Sequence, residues 1–161
     1  MTSTTLKGFK KEIEYEKLTI SGLRKLDSGG QMSSVTYSEN KARLVIQTPL
    51  MGIPYSFGKG YNGVPAHDLN LSFGEYKSDP KLGVFYENMI ELEKYVFNHV
   101  KKNIDTWYPN LVGKSEDSIE DLLNENFNKF VRHSKDNKYP PTIKVKIPYD
   151  KDADKHTISI V

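Results

Sequence analysis

Six apolar residues, Phe85, Met89, Leu92, Val96, Val100 and Ile104, recur at spacings of three and four. That period places them in one stripe along a helix of about six turns. A stripe of that length has to be covered, so the rest of the chain must supply an apolar surface for it. Pro109, just after Trp107 and Tyr108, marks where the helix stops, because proline cannot continue the ladder.

The covering surface reads as β-structure on either side of the helix. Ile13 and Tyr15, then Leu18 and Ile20 after a change of register, predict a long first strand carrying a bulge. Residues 27–30 (Asp-Ser-Gly-Gly) predict a turn. Residues 32–37 and 42–48 predict a hairpin joined across 38–41. In its second arm Leu44 and Ile46 alternate with Arg43, Val45 and Gln47, and Val45 leaves burial on both faces open. Alternation resumes over residues 67–76, with Leu69, Leu71 and Phe73 on one face.

After the long helix, a shorter acidic one is expected from about Ser115. Its stripe is Ile119, Leu122, Leu123 and Phe127, and Glu116 and Asp117 suit the positive end of its dipole. Residues 130–133 and 142–147 read as strands, and 150–154 as a charged tip leading into a last strand over 157–161. The fold class is α+β, mainly antiparallel β. Strands at short spacing around an inserted helix predict a small Greek-key barrel. With 161 residues the chain fits one domain over 12–161, preceded by a flexible arm over 1–11.

Charge is concentrated late in the chain. Residues 129–146 hold Lys129, Arg132, Lys135, Lys138, Lys144 and Lys146 against Asp136, a local +5 within a net charge of +2. In the strand 142–147, Ile143, Val145 and Ile147 face one way and Thr142, Lys144 and Lys146 the other. Pro140 and Pro141 before it and Pro148 after it bound the strand, since proline cannot donate to a sheet. A sheet face with lysines and nearby rings suits a polyanion with stackable bases. The same lysines would also keep an edge strand from pairing with other chains.

A second candidate is the segment 49–66, eighteen residues with three prolines and four glycines. A loop that long tends to be functional or disordered. Its Tyr55 and Phe57 are base-stacking candidates, since rings in irregular backbone are poor core residues. Lys59 stands beside them. The nucleic-acid candidates are then Arg132, Lys135, Lys138, Lys144, Lys146 and Lys59 for phosphates, with Tyr139, Tyr55 and Phe57 for bases.

Other signals are weaker. Gly58, Gly60 and Gly63 match a dinucleotide motif by letters, but Pro65 follows where a helix should open. His67, His99, His133 and His156 lie far apart, and Asp150, Asp152 and Asp154 lack the glycine and glutamate of a calcium loop. No metal or cofactor is expected, and no catalytic constellation points to an enzyme. Cysteine is absent, which removes disulfides and thiol chemistry and fits a reducing, intracellular compartment. No apolar run is long enough to cross a bilayer, and the polar residues 1–11 do not form a secretory signal.

Lys114 with the helix after it, and the segment Tyr139-Pro140-Pro141-Thr142-Ile143-Lys144-Val145-Lys146-Ile147, carry a resemblance. Over residues 12–161 the chain resembles the replicative single-stranded DNA-binding proteins of nucleocytoplasmic large DNA viruses, relatives of those of short-tailed phages. The resemblance implies an OB-fold barrel with a long inserted helix and a late basic strand preceded by proline. It also implies sequence-tolerant binding of single-stranded DNA in viral replication, recombination or repair. A homodimer, replication-protein partners and a location in host cytoplasm or virus factory go with it. Phage members end in an acidic tail, whereas this sequence ends in the apolar segment 157–161. RNA in place of DNA stays open, because recognition of a 2′-hydroxyl leaves no readable motif. The alternative is a protein–protein interaction or virion structural role, with the acidic stretch 116–125 and the long loop as contact surface.

Overall fold

The computed structural model describes residues 3–37, 41–55 and 67–156. The expected turn over 38–40, the loop from 56 to 66 and the last strand over 157–161 lie outside them. The strands are β1 (Ser3–Lys7), β2 (Leu18–Ile20), β3 (Arg24–Lys25), β4 (Gln31–Met32), β5 (Val35–Tyr37) and β6 (Ala42–Gln47). They continue with β7 (Asp68–Ser72), β8 (Val131–Arg132), β9 (Thr142–Lys146), β10 (Tyr149–Asp150) and β11 (Lys155–His156). The helices are α1 (Pro80–Lys102), α2 (Ile104–Trp107) and α3 (Glu116–Asn126).

Among the described residues these strands form two main sheets and no closed barrel. One has the order β1-β6-β5-β2, the other β7-β9-β8, and β3-β4 and β10-β11 are small hairpins. All pairings are antiparallel except β1 with β6, which runs parallel from Ser3 opposite Arg43 to Lys7 opposite Gln47. The α+β class with mainly antiparallel sheets is therefore as expected, while the strands lack the barrel closure. Residues 3–7, expected within a weakly tied arm, instead form an edge strand. The long first strand is also shorter: Tyr15–Lys17 makes a 3₁₀ turn and only Leu18–Ile20 pairs with β5.

Helix α1 replaces barrel closure as the joint between the sheets. Its Phe85, Met89 and Leu92 share one core with Leu18 and Tyr37 of the first sheet and Phe73 and Val131 at the second. Asp79 starts the helix, its carboxylate accepting from the backbone of Lys81 and Leu82 at 2.9 and 3.1 Å, with Pro80 at the first position. The helix thus begins five residues before Phe85. It ends at Asn103, whose side chain donates to the His99 carbonyl at 2.8 Å. The chain then re-forms a single turn as α2 before Pro109.

On β6, Leu44 and Ile46 turn to the core while Arg43, Val45 and Gln47 are exposed, so only one face is buried. Ser115 caps α3 by accepting from Ser118, and Leu123 is its buried anchor. Lys101 of α1 pairs with Glu116 at 3.4 Å and Glu120 at 2.6 Å of α3. Part of the acidic stretch is thereby occupied within the molecule.

Candidate nucleic-acid interface

Strand β9 runs beside β7 along its whole length and meets β8 only at Thr142 and Ile143. Its register sets the composition of the two faces. Ile143 and Val145 oppose Leu71 and Leu69 on the inner side. On the outer side Thr142, Lys144 and Lys146 oppose Ser72, Asn70 and Asp68, and Arg132 opposes Thr142 from β8. The sequence periodicity thus brings Arg132, Lys144 and Lys146 to one face. Lys144 and Lys146 stand where β9 has a neighbour on one side only among the described residues, so they also suit protection of an edge.

Glu93 of α1 positions β8, accepting from the backbone of Phe130 at 2.7 Å and Val131 at 3.2 Å. From there the chain makes a hydrogen-bonded loop into β9. Asn137 donates to the Ser134 carbonyl, Lys138 to the Asp136 carboxylate, and the Tyr139 backbone to Ser134 Oγ at 3.2 Å. Asn137 takes a positive φ of 52°, which asparagine tolerates. The loop is closed by Pro141, which is buried and accepts at its carbonyl from Phe73 at 2.9 Å. This local order displays Lys135, Lys138 and Tyr139 outward. The Tyr139 ring is 62% exposed, with Lys138 Nζ 5.6 Å from its centroid.

Facing this loop across a groove of about 450 Å³ is the turn that leaves β7. Gly74, at φ 45°, donates to Ser72 Oγ and turns the chain so that Glu75, Tyr76 and Lys77 form the opposite wall. Beneath lies a ladder of rings. Tyr76 stacks on Tyr86 at 4.3 Å, and the Tyr86 hydroxyl bonds His133 Nε2 at 2.9 Å. Tyr86 also meets the buried Phe73 edge-on at 5.4 Å. Burial pushes the Tyr86 phenol up, and Tyr76 and Glu93 add to it. The arrangement offers aromatic faces beside Lys77 and Lys138.

The structure places Arg132, Lys144 and Lys146 on one face of the β7-β9-β8 sheet and Lys138 and Tyr139 on the groove, with Lys135 on the same loop. Sequence reasoning missed Tyr76, Tyr86, His133 and Lys77. Tyr55 is 64% exposed but does not line the groove; it follows Gly52, which bridges Ser72 on the β7 flank away from β9. Phe57 and Lys59 lie outside the described residues. Trp107 packs edge-on to His99. Asp150 accepts from the backbone of Asp152 and Ala153, so that acidic triplet is a self-bonded turn. Among the described residues no group of three His, Asp or Glu side chains can hold a metal, and no helix is long and apolar enough to cross a membrane. No protein-family model matches this chain, and no curated protein and no solved structure shows a significant similarity to it.

Proposed function

We propose that this chain is a sequence-tolerant single-stranded DNA-binding protein. One observation carries the reading: exposed Tyr139 and Tyr76, itself stacked on Tyr86, line one groove, and the segment that leaves it through Pro141 becomes β9, whose register puts Lys144 and Lys146 on one sheet face with Arg132. Base stacking on rings needs no particular base, and lysines along the exit path neutralise phosphates. An unpaired strand can present both to such a groove, whereas a duplex keeps its base faces stacked inside. The sequence resemblance alone supports a role in viral DNA replication, recombination or repair, with replication proteins and a second copy as partners. The proposal does not require the OB-fold barrel, because the interface uses one sheet face and two loops.

Fluorescence anisotropy with labelled oligothymidine tests it. Binding at low salt that survives excess duplex competitor supports the proposal. Equal competition by duplex would reduce it to non-specific polyanion binding.

A protein-contact role has its own observation. Leu50, Ile53 and Tyr55 are 97%, 56% and 64% exposed within one short segment. That run of apolar side chains beside β7 is a surface for a protein partner. Failure to bind oligothymidine would make it the leading reading.

A further inference from the structure

The two lysines on the outer face of β9 are held differently. Lys146 is in register with Asp68, yet it is Lys144 that reaches the carboxylate, with Nζ 2.8 Å from Asp68 Oδ2. The pair is half-buried, the side chains 37% and 27% exposed. Among the described residues Lys146 makes no such ion pair. The face therefore carries one occupied cation and one unoccupied cation on the same strand, about 6.6 Å apart along it.

We propose that Asp68 acts as an internal competitor for the ligand, occupying on Lys144 the position that a backbone phosphate would take. The inference rests on the single-strand-binding reading of the same face. A carboxylate and a phosphate oxygen are both anionic acceptors for the same ammonium donors, so the two exclude each other. While Asp68 holds Lys144, that lysine adds no phosphate contact and releases no counterion. An exposed or half-exposed ion pair is weak, so a strand with enough contacts elsewhere displaces the carboxylate, and a short one does not. Asp68 thereby makes tight binding depend on length rather than on a single phosphate, and it turns away small phosphate compounds that would otherwise settle on the lysine pair.

The test is a cycle of Asp68→Asn, Lys144→Ala and the double substitution, titrated with oligothymidine over a range of salt. Asp68→Asn is expected to tighten binding roughly two- to fivefold, the range such a pair is worth. It should also steepen the dependence of log K on log salt by up to about 0.7, because no freed carboxylate then takes up a cation in exchange for the one the phosphate releases. In the Lys144→Ala background Asp68→Asn should do neither. No gain from Asp68→Asn overturns the proposal, as does an equal gain in both backgrounds, which would mean a general loss of negative charge. If Asp68→Asn does not fold, the carboxylate carbon of Asp68 in the unsubstituted protein gives the answer. Its NMR resonance should move on saturation with oligothymidine as the lysine leaves, and a resonance that stays in place overturns the proposal. Absence of any binding by the unsubstituted chain would overturn the single-strand reading itself, and is seen before any substitution is made.

Discussion

A methyl group at position 8 would lie 2.7 Å from Ile46 Cγ2, 2.8 Å from Phe85 and 2.9 Å from the Gln47 carbonyl. Only glycine lets the segment after β1 settle between β6 and α1. The buried side chain of Asn88 completes that attachment, donating to the carbonyls of Gly8 at 2.7 Å and Lys10 at 2.9 Å. Asn88→Ala leaves both acceptors without that donor and should cost about 1–3 kcal/mol of stability, read by urea denaturation. Tyr15 gives the opposite case. Its hydroxyl is buried with no well-formed hydrogen bond among the described residues, and burial, with the nearby Glu91 carboxylate adding to it, pushes the phenol up to about 12. A folded pKa above the unfolded value near 10 means the native state holds its proton longer. Stability from this group is full below pH 10 and is lost as pH rises towards 12. Tyr15→Phe should leave neutral stability unchanged or higher and flatten that alkaline loss in thermal melts. At the interface, Tyr139→Ala should weaken oligothymidine binding by roughly 1–3 kcal/mol without changing the salt slope, since no charge is removed.

Helix α1 is the element on which both sheets depend, and Leu92 lies within the core it shares with them. Leu92→Ala should cost about 2–5 kcal/mol in denaturant titrations, with no direct effect on the groove. This element was legible because a 3.6-residue period is a local property of the sequence. Its start was not, since the apolar stripe begins only at Phe85, five residues after Pro80 and its Asp79 cap. Strand β1 was illegible for a different reason: in Ser3–Lys7 only Leu6 is strongly apolar, and its partner β6 is far away in sequence. Pairing of distant strands has no local signature, and the barrel expected from strand spacing is not closed among the described residues. The candidate site divides in the same way. Arg132, Lys138, Tyr139, Lys144 and Lys146 were readable from charge clustering and alternation. Tyr76, Tyr86 and His133 come from a strand exit, a helix and a loop, and only tertiary packing stacks them together.

At the scale of the whole molecule, the charge is distributed unevenly around a nearly neutral chain. Its net charge of +2 gives little general attraction for a polyanion, so binding must come from the cluster over 129–146. The acidic α3 is linked to α1 through Lys101 rather than to this cluster. Glu116 and Glu120 are thereby spent on Lys101 rather than on the basic cluster. The account's central claim is that the groove and the outer face of β9 form one surface for a single DNA strand. The most direct measurement is the salt dependence of oligothymidine affinity for the unsubstituted protein and for Arg132→Ala/Lys138→Ala/Lys146→Ala, each first shown to be folded. Three lost phosphate contacts should weaken binding and reduce the magnitude of the slope of log K against log salt by about 2.1. An unchanged slope in the triple variant, with affinity intact, would contradict the claim and assign these cations to edge protection alone.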